Sequence, residues 1–135
     1  MQNMSGGKTA LGLDTNVGAL ICYLGNVVCL LGLIYSIIVV ATDKVNRLTR
    51  FHAFQSIFLT VALIVIQIPL YIIMIVGVFV DAAIGLPLVS GLTGLVMGIV
   101  GIAALVFVVL AAIKGFGGEF YKIPVIGNFA EKYAG

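Results

Sequence analysis

Charge is the scarcest property of this sequence. Only 9% of its 135 residues are charged, against about a quarter in soluble domains. Hydrophobic residues make up 62%, and the mean hydropathy is +1.28. A soluble fold of that composition would expose apolar patches that drive aggregation. The sequence therefore predicts an integral protein of the lipid bilayer. Seven basic and five acidic residues leave a net charge of +2. The basic residues form no run, which argues against a nucleic-acid partner. The length leaves no room for a second domain.

Metal-ligating and redox residues are equally sparse. Cys22 and Cys29 stand seven residues apart, about 10 Å along a helix and beyond disulfide reach. His52 is the single histidine, so one chain cannot supply a bis-histidine haem or a histidine-rich metal centre. With two distant cysteines it makes a poor zinc pattern, and it reads as an interfacial residue bonding locally. No carboxylate interrupts the apolar runs, and Asp81 is expected alone in a loop. No Gly-x-Ser-x-Gly turn occurs, nor a phosphate-binding loop, and the glycines of the third run follow no strand. The expectation is a non-enzyme with no catalytic residue, cofactor or metal. The first apolar run begins after Asp14 and is too long for a signal-peptide core, and the N-terminus contains no Arg. No cleavable targeting segment is expected.

What is present is long apolar sequence. Three runs reach the ~20 residues that cross a bilayer, at about 17–41, 51–80 and 86–113. Residues 1–16 form a polar N-terminal tail and 114–135 an interfacial C-terminal tail. Thr42, Asp43, Lys44 and Asn46 mark one turn, and Asp81, Gly85 and Pro87 the other. Backbone groups must be satisfied internally in lipid, and the runs lack the alternation of a barrel. The expected fold is all-α, a bundle of three transmembrane helices with a short interfacial C-terminal segment. Lys44, Arg47 and Arg50 follow the first run, and Lys114, Lys122 and Lys132 lie in the tail. The positive-inside rule then puts the first loop and C-terminus in the cytoplasm and the N-terminus outside.

Small residues line two of the runs. The first carries Gly18, Cys22, Gly25, Cys29, Gly32 and Ser36; the third carries Gly91, Gly94, Gly98, Gly101, Leu105, Val108, Ala112 and Gly115. Both alternate steps of three and four, the spacing of a seam where helix backbones approach closely. Either seam can serve packing within the chain or against another subunit. The second run carries a polar stripe, His52, Ser56, Thr60, Gln67 and Tyr71, with Gln55 beside it. Such groups bond neighbouring helices, Asn26 among the candidates, or line a permeation path; the lack of charge favours the former. In the tail, aromatic residues alternate with charges and glycines, as suits the headgroup layer. NFAEKY reads as a short interfacial helix capped by Asn128, serving as an anchor or a docking surface.

The stretches LDTNVGALICYLG (13–25), NRLTRFHAFQSI (46–57) and GEFYKIPVIGNFAEKY (118–133) resemble the small prokaryotic membrane proteins of the Tic-twenty-like group, related to the chloroplast inner-envelope import component. The resemblance implies an all-helical membrane domain akin to a subunit of a protein-conducting complex. The plastid member has four spans against three here. It implies a cytoplasmic cluster of matching residues, Asn46, Arg47, Arg50, Phe51, His52, Gln55, Ser56, Pro124, Ile126 and Gly127. The sequence as a whole points to a non-enzymatic accessory or scaffolding subunit that packs against other membrane proteins or against itself. A transport or protein-conducting component built by oligomerisation is the alternative.

Overall fold

The computed structural model describes residues 7–27 and 30–135, with backbone alone at 26 and 27. Among the described residues the fold is all-α: α1 (Thr15–Val27), α2 (Leu31–Thr42), α3 (Arg47–Ile84), α4 (Val89–Phe116) and α5 (Ile126–Ala134). The chain divides into two compact units, residues 1–60 with 107–135, and residues 61–106.

In the first unit the expected first span is two helices. α1 has 13 residues and α2 has 12, about 20 and 18 Å long, and neither crosses a hydrocarbon core of about 30 Å. They form a hairpin. A Cβ added at Gly25 would lie 2.5 Å from the Gly32 backbone nitrogen, and one at Gly18 would lie 3.0 Å from the Tyr35 hydroxyl. Residues seven apart in a continuous helix stand about 10 Å apart, so this contact exists only because the chain folds back. Gly25 and Gly32 therefore face each other across a turn instead of sharing one straight seam. Leu30, at φ 60°, leads into α2. Cys29 lies outside the described residues, as does the side chain of Asn26.

The hairpin returns both its ends to one place. The Asn46 side-chain amide donates to the Lys8 carbonyl, and the Ala10 N–H donates to the Asp43 carboxylate at 3.3 Å. The Thr49 hydroxyl donates to the Thr15 carbonyl at 3.2 Å. These bonds set the N-terminal segment beside the first loop, an arrangement that lends no support to the expectation that the two lie on opposite sides of the membrane.

In the second unit, the Val61–Ile84 part of α3 and the Val89–Val106 part of α4 run antiparallel around a four-residue turn. Gly85 makes that turn at φ +74°. Asp81 is not alone in a loop: it sits in the last turn of α3 and accepts hydrogen bonds from the N–H groups of Leu88 (3.1 Å), Val89 (2.9 Å) and Ser90 (2.8 Å), and from the Ser90 hydroxyl. A carboxylate satisfies the unpaired N–H groups at the start of α4 and suits its positive end. At Gly77 a Cβ would meet Val89 Cγ1 at 2.9 Å and the Ser90 nitrogen at 3.1 Å, so a bare backbone lets the helices close on the turn. The rest of the surface is apolar: Ile64, Val65, Ile68, Ile72, Ile75, Phe79, Leu92, Leu95, Ile99 and Ile102 are all exposed. Surface of that kind belongs in lipid. Among the described residues α3 and α4 are the two helices long and apolar enough to cross a membrane, and α1 and α2 are shorter apolar helices, so the expected set of three full-length spans is not what these helices display. Pro69 lies inside α3, where its missing N–H leaves the Val65 carbonyl without a helical donor.

Candidate functional site: a polar hub at the start of α3

The beginning of α3 is buried almost all round. Leu48, Thr49, Phe51, His52, Ala53, Gln55 and Ser56 are all buried, which is the signature of a helix enclosed by other elements. Those elements are the α1–α2 hairpin and the C-terminal tail, and polar side chains of α3 hold both. Ser56 donates to the Cys22 carbonyl at 2.6 Å. Tyr23 of α1 lies 3.0 Å from His52 Nδ1, and His52 Nε2 lies 2.9 Å from the Glu119 carbonyl. A carbonyl only accepts, so Nε2 carries the proton and Nδ1 accepts from the Tyr23 hydroxyl. The ring is fixed in one neutral tautomer.

Gln55 completes the network. Its amide nitrogen donates to the Tyr23 oxygen at 2.8 Å and to the Tyr121 carbonyl at 3.0 Å. Its carbonyl accepts from the Ile123 N–H at 3.2 Å. One buried amide therefore uses both donors and its acceptor, joining α1, α3 and the extended tail. The Gln55 bonds flank a strained turn. Ile126 N–H donates to the Pro124 carbonyl at 2.8 Å around Val125 at φ 67°, ψ −57°. This is the rare γ-turn with positive central φ, and a β-branched residue there stores about 1–3 kcal/mol of strain. The next bond, Gly127 N–H to the Ile123 carbonyl at 2.7 Å, brings Gly127 so close that a Cβ would lie 2.6 Å from Lys122 Cβ and 2.9 Å from Gln55 Oε1. Val125 holds the N-cap position of α5 with no side-chain cap bond, so Asn128 does not cap this helix.

The rim is basic and aromatic. Arg50 donates to the Asp43 carbonyl at 3.0 Å and to the Ala134 carbonyl at 3.3 Å, and stands over the Phe54 ring. Arg47 stands over Phe120. Phe51 packs with Ala130 and Ala134 of α5, flanked by Phe54, Phe58 and Phe120. Asp43 is buried, which works to raise its pKa, but hydrogen bonds from the Asn46 side chain and backbone, and from the Val45 and Ala10 N–H groups, outweigh that and hold it below the usual aspartate value.

Of the residues singled out from sequence, the hub gathers Asn46, Arg50, His52, Gln55, Ser56 and Gly127 directly. Arg47 and Phe51 lie on its rim, and Pro124 is in the γ-turn. Thr60 donates back to the Ser56 carbonyl at 2.9 Å. The polar stripe does not continue as one lining. In the other unit Tyr71 is 57% exposed, and the buried Gln67 Oε1 has no partner among the described residues. The α4 seam also divides. Val108, Ala112 and Gly115 are buried, with Gly115 against Ala19 and His52. Gly94 meets only Met74, at 3.7 Å, while Gly91, Gly98 and Gly101 face open space. A Cβ at those three positions would meet none of the described residues. Sequence reasoning missed Tyr23 and Thr49, and took Asp43 only as a turn marker. A tyrosine inside an apolar run was the available signal, since its hydroxyl needs a partner when buried.

Chemically the hub is closed. Both nitrogens of its histidine are engaged, and no group of three or more metal-ligating side chains occurs among the described residues. It fastens three segments distant in sequence into one block.

Residues 14–130 match the model of a family described as the magnetosome magnetite crystal formation protein family, MamF/MmsF. The chain belongs to that family. Among its relatives is the UPF0132 membrane protein MJ1443 of Methanocaldococcus jannaschii, 35% identical over 95% of this chain and 96% of that protein. The UPF0132 membrane protein MJ1527 of the same organism is 31% identical over 92% of the chain and 73% of its own length. A third, from Archaeoglobus fulgidus, is 29% identical over 78% and 87%. No solved structure matches. Membership in MamF/MmsF overturns the resemblance to the Tic-twenty-like group, and the protein-conducting role that rested on it falls with it. The protein is a small all-α membrane protein of the MamF/MmsF family, and the matched span contains Tyr23, His52, Gln55, Ser56 and Gly127 of the hub.

Proposed function

We propose that this MamF/MmsF-family protein is a non-enzymatic scaffolding subunit that packs against other membrane proteins or further copies of itself. The observation that carries this reading is the open glycine face of α4: Gly91, Gly98 and Gly101 have nothing within 4 Å of an added Cβ. In lipid, small residues favour helix association by letting backbones approach. The hub supports the same reading, since its polar side chains are used to fasten α1, α3 and the tail into a fixed block.

The family description names magnetite crystal formation in the magnetosome. For this chain it suggests a subunit of a mineral-forming membrane or a comparable one. Asp43, Asp81, Glu119 and Glu131 are each bonded within the protein, which favours organising neighbours over touching mineral. Chemical cross-linking in native membranes, followed by mild-detergent purification, tests the reading. The wild type should be recovered in a complex that Gly98→Leu dissociates. A monomer in native lipid, or a complex indifferent to Gly98→Leu, would sink it.

A further inference from the structure

The two units carry very different charge. All seven Lys and Arg residues of the chain fall in the unit formed by residues 1–60 and 107–135, with four of the five acidic ones. Of these four, Glu119 pairs with Lys114 at 2.9 Å and Glu131 with Lys122 at 2.8 Å, while Asp14 is exposed and lies opposite Lys8 in an isolated β-bridge. Asp43 is enclosed by N–H donors. Lys8, Lys44 and Lys132 are exposed and outside any ion pair among the described residues. Hydrogen bonds draw the backbone near all three to one end of the unit: Asn46 donates to the Lys8 carbonyl, and Arg50 links the carbonyl of Asp43, next to Lys44, with that of Ala134, two residues from Lys132.

Beside these cations α5 divides into three faces. Gly127, Ala130 and Ala134 are buried. Val125, Phe129 and Tyr133, four residues apart, are 70, 55 and 54% exposed, and Tyr133 lies 5.8 Å from the Phe58 ring. Asn128 and Lys132 are exposed between them. An apolar ridge beside cations is the pattern of a helix lying in the headgroup layer. The strained γ-turn at Val125 directs the first ridge residue outward, where it adds to that face.

We propose that this rim is a binding surface for anionic lipid headgroups, with Lys8, Lys44 and Lys132 meeting the phosphates while Val125, Phe129 and Tyr133 enter the acyl boundary. Polybasic segments beside a membrane anchor recognise acidic lipids electrostatically, with roughly 5-fold affinity per cation. The inference concerns lipid and does not depend on the subunit reading. Native mass spectrometry of the full-length protein tests it, with phosphatidylglycerol and phosphatidylcholine of matched chains as probes. Phosphatidylglycerol should be retained at least ~5-fold more strongly, and Lys44→Gln/Lys132→Gln should lower that preference by about the same factor per charge. Millimolar inorganic phosphate should displace neither lipid. Equal retention of the two lipids, a preference unchanged in the double variant, or tighter capture of an acidic peptide than of phosphatidylglycerol would overturn the proposal. Both lysines are exposed, so the variant leaves the buried hub intact; unchanged thermal unfolding confirms that comparison.

Discussion

Two glutamines of α3 lie twelve residues apart and do opposite things. Gln55 satisfies two donors and an acceptor in the hub, whereas the carbonyl of Gln67 is buried with no partner among the described residues. Gln55→Leu strands the Tyr121 carbonyl and the Ile123 N–H. At about 1–3 kcal/mol for each buried group left unpaired, it should destabilise by ~3 kcal/mol. Gln67→Leu removes an unsatisfied polar atom and should be neutral or stabilise by up to about 1 kcal/mol. Unfolding of both variants in one detergent decides; equal losses would contradict this assignment of roles. Asp43 gives a pH-dependent counterpart. Its folded pKa is depressed, so its contribution is complete above the ordinary aspartate range and disappears as pH falls through the folded value. Acidification below that range should loosen the N-terminal segment, and Asp43→Asn should flatten the acid limb of a stability profile. An unaltered limb would remove Asp43 from the account.

At the scale of elements, the glycines sort by what stands beyond them. Gly25 abuts the Gly32 backbone and Gly127 abuts Lys122 Cα and Cβ, so Gly25→Ala and Gly127→Ala each force backbone to move and should destabilise by about 1–3 kcal/mol. Gly98 has open space, and Gly98→Ala should gain up to ~1 kcal/mol from helix propensity. Chemical denaturation distinguishes the two groups, and a destabilised Gly98→Ala would mean that its face is covered within the chain. The spacing of three and four was legible along both runs, but spacing states only that small residues share a helix face. Whether that face meets the same chain folded back, as at Gly25, or nothing in the chain, as at Gly98, depends on segments that the periodicity of one helix does not encode.

For the whole molecule, the hairpin changes the topology. The N-terminal segment is bonded to the loop before α3, and the tail is bonded to the first turns of α3. Reporter fusions at the two termini should therefore read the same membrane side, and opposite readings would contradict this hairpin arrangement. Hydropathy alone suggested three crossings because 17–41 is long enough for one. Length permits a crossing without requiring it, and a turn near the middle converts one span into two short helices. The motif stretches 46–57 and 118–133 were legible as unusual, and the structure bonds them to each other through His52 and Gln55. Their kinship was misread, since short polar motifs in membrane helices mark local constraint more reliably than descent.

Composition by itself determined the solvent and the secondary structure: transfer of apolar side chains into lipid adds along the chain irrespective of order in space, and lipid then demands helices. The order of the apolar residues added the rough positions of α3 and α4, since the long runs at 51–80 and 86–113 fall largely within them. Only the tertiary structure decided the fold-back of α1 on α2, the joining of Tyr23, His52, Gln55 and the tail, and the open face of α4. Those are contacts between residues up to 68 positions apart, and such a contact is stabilised only once both partners have been brought together by the rest of the fold.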